Sequence, residues 1–389
     1  MPRRSDPVYL DHNAGAPMRP DVRDAMITVL QDAGNASSVH THGRKARGRI
    51  EEAREAVARL CGAKTRAVTF VSGGTEANMT ALAPAWQDQG TPVYLDKLFR
   101  SAVEHPSVVT GGRFPVMDQV VVPVDSNGVV DLGALEDLIK DAAPSLISVM
   151  AANNETGVIE PLTDIGALAA KYGHFFHVDA VQAAGRMPID IEAWGADVIT
   201  LSAHKFGGPQ GMGAVVVRST ARVPAPLMVG GGQENWRRGG TENVSAIAGF
   251  GIAAQAALED AADTSHFVAL REKLEDGLRA VCPETVIFGE GTDRLVNTVC
   301  FAVPGIAAET ALIAFDLERV SVSSGSACSS GKVSVSHVLT AMGVDEDTAR
   351  GALRISMGWD TGTREIDRFL EVWPKIVDRL NPEARHKAA

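Results

Sequence analysis

The chain has 389 residues, 45% apolar and 22% charged, with 48 acidic against 37 basic side chains and a formal net charge of −11. That length can bury a large core and predicts two domains, while the acidic balance argues against general nucleic-acid binding. Four widely spaced cysteines predict neither a disulfide framework nor a zinc site and suit a reducing cytoplasm.

The first residues, Met1-Pro2-Arg3-Arg4, lack the apolar run of a secretory signal. A short strand is predicted near residues 8–10, and the mixed-charge run 44–54 reads as one solvated helix face. Strand and helix patterns then alternate over residues 67–218, which predicts an α/β fold with a mostly parallel sheet. The first strand, 68–71, runs into Ser72-Gly73-Gly74-Thr75-Glu76, and a helix is predicted over 77–86. Gly74 lets the backbone approach an anion and Thr75 adds a hydroxyl, at a turn suited to a phosphate. The turn lacks the Walker lysine and the dinucleotide spacing, so nucleotide binding is not expected.

Polar groups recur at the ends of the next apolar runs. His105 follows one of them and offers a ring to stack and a proton to move. Asn154 follows 146–150, and Asp179 ends the strand 175–178, facing the crevice where α/β sheets bind ligands. Lys205 follows 197–201, in Ser202-Ala203-His204-Lys205-Phe206-Gly207-Gly208-Pro209. A lysine at the mouth of a buried strand is costly unless paired or deprotonated, and a deprotonated lysine can form a Schiff base. Alone, each has a plainer reading: a loop lysine, a capping aspartate, a structural histidine. Together they suit one crevice holding a cofactor with an aldehyde, a pyridine nitrogen and a phosphate.

An alanine-rich helix is predicted over 244–261, too short to span a membrane. A second helix near 267–281, strands near 297–303 and 320–323, and a last helix from Thr363 predict a smaller α+β domain. Within it, residues 322–332 are rich in glycine and serine and read as a mobile loop carrying Cys328, with Lys332 placed to favour a thiolate. Cys61, Cys282 and Cys300 read as structural. Arg354, on an alternating strand pattern, can grip a carboxylate through two N–H groups.

These segments carry a family resemblance. Tyr9-Leu10-Asp11, the stretch 34–40, Ser72 to Asn78, Glu104-His105-Pro106-Ser107-Val108, Asn153 to Gly157 and His177 to Gln182 belong to it. So do Ser202 to Pro209, Gly230 to Glu234, Gly240-Thr241-Glu242-Asn243, Ser323 to Cys328 and Leu353 to Gly358. From Tyr9 to about Trp373 the chain resembles the cysteine desulfurases of the class V aminotransferase family, in the group that serves nitrogen fixation and housekeeping iron–sulfur assembly.

The resemblance implies the fold type I of pyridoxal phosphate enzymes, with a mostly parallel seven-stranded sheet in a large domain over 16–260. Residues 1–15 and 261–389 would form the small domain with the cysteine loop. It implies pyridoxal 5'-phosphate bound to Lys205, paired at its ring nitrogen with Asp179 and stacked on His105. Gln182 and Asn154 would contact the ring hydroxyl side, and Gly74, Thr75, Ser202 and His204 the phosphate. Thr241 would reach the phosphate from the other subunit of a homodimer, and Arg354, with Asn154, would bind the substrate carboxylate.

The implied reaction takes sulfur from L-cysteine onto Cys328 as a persulfide and releases L-alanine. Lys205 and His105 move protons, and the sulfur passes to an iron–sulfur scaffold or another acceptor protein; no metal is expected. Rival readings are a selenocysteine lyase, a transaminase of small amino acids, or a docking protein in sulfur traffic. Departures from the family pattern are Gly15-Ala16-Pro17, Ala36, Gln210, Asn235 with Trp236, and Trp359 with Asp360. Of these, Trp359 and Asp360 are expected to alter how Arg354 is supported.

Overall fold

The structure, a computed structural model, describes residues 6–325 and 335–383. Cys328 and Lys332 lie outside the described residues, as do the ends of the chain.

Seven strands form the central sheet: Val68–Val71 (β1), Leu98–Ser101 (β2), Gln119–Val122 (β3), Leu146–Met150 (β4), Phe175–Asp179 (β5), Val198–Ser202 (β6) and Gly213–Val217 (β7). Their order is β1-β7-β6-β5-β4-β2-β3. Every neighbouring pair is parallel except those of β7, which runs antiparallel to β1 and β6. The strands β4 to β7 are buried at every residue, as strands covered on both faces must be. Apolar side chains suffice for most of these positions. The exceptions, Ser148, His177, Asp179, Thr200 and Ser202, therefore need hydrogen-bond partners.

The covering helices follow local rules. Thr41–Leu60 (α1) starts at His40, whose Nδ1 accepts the Gly43 N–H at 3.2 Å. Gly74–Ala81 (α2) follows β1, and Leu162–Tyr172 (α3) ends at Gly173 with φ +75°, a position glycine fills without a steric penalty. Val244–Ala262 (α4) starts at Asn243, whose Oδ1 caps the Ala246 N–H. It packs against α1 so closely that a Cβ on Gly251 would stand 2.6 Å from the Ala53 Cα.

Two sequence expectations fail here. The helix predicted over 77–86 ends at Ala81, and Ala85–Asp88 is a strand beside Thr91–Tyr94 and Arg222–Pro224. Pro84 is the cause, because it lacks an N–H and disfavours helical backbone at the residue before it. The run 44–54 is not wholly solvated either. Arg54 is buried, and its guanidinium meets the Glu234 carboxylate through Nη1 at 2.7 Å and Nη2 at 2.8 Å. A buried arginine is stable only when paired, and that partner lies 180 residues away in the chain.

A second apolar core surrounds a four-stranded antiparallel sheet of Val286–Ile287, Thr298–Ala302, Leu353–Ser356 and Ser323–Ser324, in that order. Ser265–Val281 (α5) and Thr363–Leu380 (α6) contribute to it. Phe315 stacks on Phe369 with centroids 5.0 Å apart, and on Trp373 at 5.9 Å. The strand Val8–Tyr9 pairs in parallel with Val320–Ser321, so the N-terminal segment joins this core. Residues 320–323, predicted as one strand, divide between that pair and the four-stranded sheet.

Candidate active site

The carboxyl ends of the parallel strands open into a cavity of about 230 Å³. Its lining holds Gly74, Thr75, His105, Asn154, Asp179, Gln182, Ser202, His204, Lys205 and Arg354. Ten sequence-predicted site residues thus converge, from segments up to 280 positions apart (354 − 74).

At one end, β1 turns through Gly73 into α2, and no side chain caps the helix. Uncapped first-turn N–H groups form a partial positive charge suited to an anion. The turn is held in place by close neighbours. A Cβ on Gly213 would lie 2.5 Å from the Gly73 carbonyl carbon, and one on Gly74 would press on Val181 at 3.2 Å and Ser202 at 3.3 Å. His204 stands at the same end, its imidazole pushed down to about 4 by burial and then by the Lys205 and Arg186 charges.

In the middle lies Asp179, the last residue of β5. Its Oδ1 accepts the Val181 N–H at 3.0 Å and its Oδ2 accepts the Asn78 side-chain amide at 2.8 Å. His105 comes from the turn after β2; its Nδ1 faces the Ser107 N–H at 3.1 Å and the Ser107 hydroxyl at 2.8 Å. Burial lowers the proton affinity of His105, opposed by the Asp179 charge and aided by Lys205 and His337. Asn153 shapes the turn that presents Asn154: its Oδ1 accepts the Glu155 and Thr156 N–H groups at 2.8 and 3.0 Å.

Lys205 occupies a single helical turn, Ala203–Lys205, directly after β6. Its side chain is half-buried, and Nζ donates to the Asn13 carbonyl at 2.6 Å and the Ala14 carbonyl at 3.1 Å. Behind it lies Arg186, which donates to the carbonyls of Gln182, His12 and Lys205 itself. Burial pushes the Arg186 guanidinium down to about 9. The Gln182 amide is held from both sides, accepting from Arg186 and donating to the Asn13 carbonyl at 3.1 Å.

At the far end Arg354 is buried, with Nη2 on Asp11 Oδ1 at 2.7 Å and Nη1 on the Asn154 carbonyl at 2.8 Å. Its Nε has no partner among the described residues. The support of Arg354 thus comes from Asp11 and Asn154, not from Trp359 or Asp360. Trp359 donates to the Pro17 carbonyl at 3.0 Å and lies under the Arg19 guanidinium, while Asp360 meets His12 Nε2 at 2.8 Å.

Thr241 lies apart, in a separate depression with Phe70, Ser72 and Arg238. The left-handed turn at Glu234, Asn235 and Trp236 (φ 47°, 55° and 67°) is anchored nearby through Glu234 to Arg54. Sequence reasoning did not single out Asn13, Asn78, Ser107 or Arg186. Asn78 and Ser107 fall inside family-matching segments, whereas Asn13 lies just beyond one; its carbonyl receives Lys205, and its buried side chain donates to the Asn154 carbonyl at 3.2 Å and to Thr298 Oγ1 at 3.0 Å.

Residues 8–369 match the sequence profile of the family described as aminotransferase class-V. The chain is 38% identical over 389 residues to a cysteine desulfurase IscS from Dictyoglomus turgidum, covering 98% of this chain and 97% of the relative. Among solved structures it is similar to a NifS-like protein from Rickettsia africae, with a TM-score of 0.86 and 36% identity, over 96% of this chain and 100% of that one. It is also similar to SspA in complex with cysteine, with a TM-score of 0.75 and 27% identity, over 90% and 98% of the two chains.

Proposed function

We propose, from the premise that the chain belongs to the class-V aminotransferase family, that it is a cysteine desulfurase: it takes sulfur from L-cysteine onto Cys328 and releases L-alanine. One observation carries the reading. A single cavity gathers an uncapped helix N-terminus, a buried carboxylate and a half-buried lysine amine. That donor set fits pyridoxal phosphate: Gly74, Thr75, Ser202 and His204 for the phosphate, Asp179 for the ring nitrogen, Lys205 for the aldehyde. When bound, the cofactor supplies an electron sink for the pair left at the amino-acid α-carbon.

The chain's own residues do the rest. Arg354 binds the substrate carboxylate, aided by Asn154, and so orients the amino acid. Lys205 Nζ, held among carbonyl oxygens, takes the α-proton and returns it. Asp179 keeps a negative charge at the cavity floor, and His105 and Gln182 fix the ring's position. The Cys328 thiolate attacks the substrate sulfur. An S–S bond forms and the Cβ–S bond breaks, its electron pair remaining with carbon. That carbon is protonated, so L-cysteine and the Cys328 thiol become L-alanine and a Cys328 persulfide.

The proposal includes a homodimer in which Thr241 completes the partner's phosphate site, and an acceptor protein for the persulfide, such as an iron–sulfur scaffold. No helix among the described residues is long and apolar enough to cross a membrane. Cys61 and Cys300 are buried free thiols, which suits the reducing cytoplasmic setting proposed here. Borohydride reduction of the cofactor-loaded protein tests the site. The expected result is a stable adduct on the Lys205 peptide and none in Lys205→Ala. An adduct on a different lysine contradicts the assignment.

A further inference from the structure

Beneath the cavity runs a chain of buried hydrogen bonds whose polarity can be deduced bond by bond. Asn78, on α2, is 1% exposed. One of its amide hydrogens goes to Asp179 Oδ2 at 2.8 Å and the other to Ser107 Oγ at 2.9 Å. A carboxylate only accepts, so the amide nitrogen must face Asp179 and the amide oxygen must face away. That oxygen lies 2.6 Å from Thr200 Oγ1, which must therefore donate its single proton to it. The next contact, His177 Nε2 to Thr200 Oγ1 at 3.2 Å, then has His177 as donor. His177 Nδ1 accepts from Ser148 Oγ at 2.9 Å, and burial keeps this imidazole neutral by pushing it down to about 4.

In the other direction, Ser107 Oγ accepts from Asn78 and turns its own proton toward His105 Nδ1 at 2.8 Å. The Ser107 backbone N–H points at the same nitrogen, at 3.1 Å. His105 Nδ1 is thus an acceptor twice over, and the imidazole proton sits on Nε2. The charged and titratable groups facing His105 are Asp179 from β5, Lys205 from the turn after β6, and His337 from the start of the helix His337–Ala341.

We propose that Asn78 is a positioning residue: one amide holds the Asp179 carboxylate and, through Ser107, locks His105 as the neutral Nε2–H tautomer. Two groups that face the cofactor cavity from different strands are thereby set by a single side chain. This inference rests on the cofactor reading above for its function, but not for its geometry. It makes His105 a fixed N–H donor at Nε2 rather than an imidazolium that exchanges protons through Nδ1.

The test is nitrogen NMR of the enzyme labelled at its histidine rings, with and without added pyridoxal phosphate, from about pH 6 to 9. The His105 signals are identified by their loss in His105→Gln. The wild type is expected to show a single Nε2–H tautomer across that range. Asn78→Asp removes both donors and adds a carboxylate, and should raise the proton affinity of His105 at least about tenfold. Ser107→Ala deletes only the relaying hydroxyl, and should give a mixture of tautomers even if Asn78→Asp fails to fold. An unchanged tautomer and proton affinity in these variants overturns the proposal, since it would mean that the Ser107 backbone N–H alone sets the ring. Pyridoxal phosphate chromophore retained by the protein after gel filtration reports separately on the cofactor reading: its loss from wild type sinks that reading and leaves the tautomer result standing.

Discussion

Arg354 shows how much one residue's surroundings decide. Its guanidinium is buried, is gripped by Asp11 and the Asn154 carbonyl, and keeps Nε without a partner among the described residues. A planar fork held this way presents a fixed geometry to a carboxylate, which a lysine ammonium cannot reproduce. Arg354→Lys should therefore raise KM for L-cysteine by about 10- to 100-fold, the loss of a charge-assisted hydrogen bond. Steady-state kinetics decide it, and an unchanged KM would remove Arg354 from substrate binding. The sequence pointed to Lys205 and Asp179 because each is a polar residue placed where an apolar run stops, and to Arg354 because it lies on an alternating strand pattern. It did not reveal Asn78 or Arg186, because the demand they meet arises from strands distant in the chain. Arg54 was misread for the same reason: its partner Glu234 lies on a different element.

Among the elements, the turn between β1 and α2 is closely confined by its neighbours. Gly213, at the start of β7, backs directly onto Gly73. A methyl group there would meet backbone, which cannot swing aside as a side chain can. Gly213→Ala should thus weaken pyridoxal phosphate binding by about tenfold or more while the protein still folds, since overpacking costs about 1–3 kcal/mol. Titration of the visible absorbance measures this, and wild-type affinity would mean that the turn does not grip the phosphate. The buried strands β1, β4, β5 and β6 were legible from their mostly apolar runs, and α4 from its length. The helix predicted over 77–86 was misjudged because the apolar residues after Ala81 suit a strand equally well, and Pro84 decides between them.

Across the whole molecule, burial of ionisable groups sets the pH range of stability. His177 and His204 are both held at about 4, against 6.5 for a free imidazole, by burial first. The unfolded chain therefore binds more protons than the native one between those values. The stability these two provide is complete above pH 6.5 and is lost as the pH falls through about 4. Buried Glu155 and Glu160 act oppositely, held up to about 7 and about 8 against 4.5 in the open chain. Their contribution is complete below 4.5 and is lost as the pH rises through about 7 to 8. Denaturant midpoints should accordingly be nearly level between about pH 4.5 and 6.5, where the opposing slopes of the two pairs cancel, and fall on both sides. Glu160→Gln, neutral throughout, should flatten the alkaline limb; parallel curves for variant and wild type would show that Glu160 does not carry that limb. The change of pattern at Val244 does not mark where the second apolar core begins: α4 still packs into the first, and the second draws on α5 and later elements. The return of residues 8–10 to the second core had only a short apolar run to announce it.

The central claim is transfer of sulfur from L-cysteine to Cys328, and peptide mass mapping after brief exposure to L-cysteine, with thiols trapped, tests it most directly. The expected result is one added sulfur on the Cys328 peptide together with released L-alanine. L-Alanine released while that peptide stays unmodified, or no L-alanine from a protein carrying its cofactor on Lys205, would contradict the account.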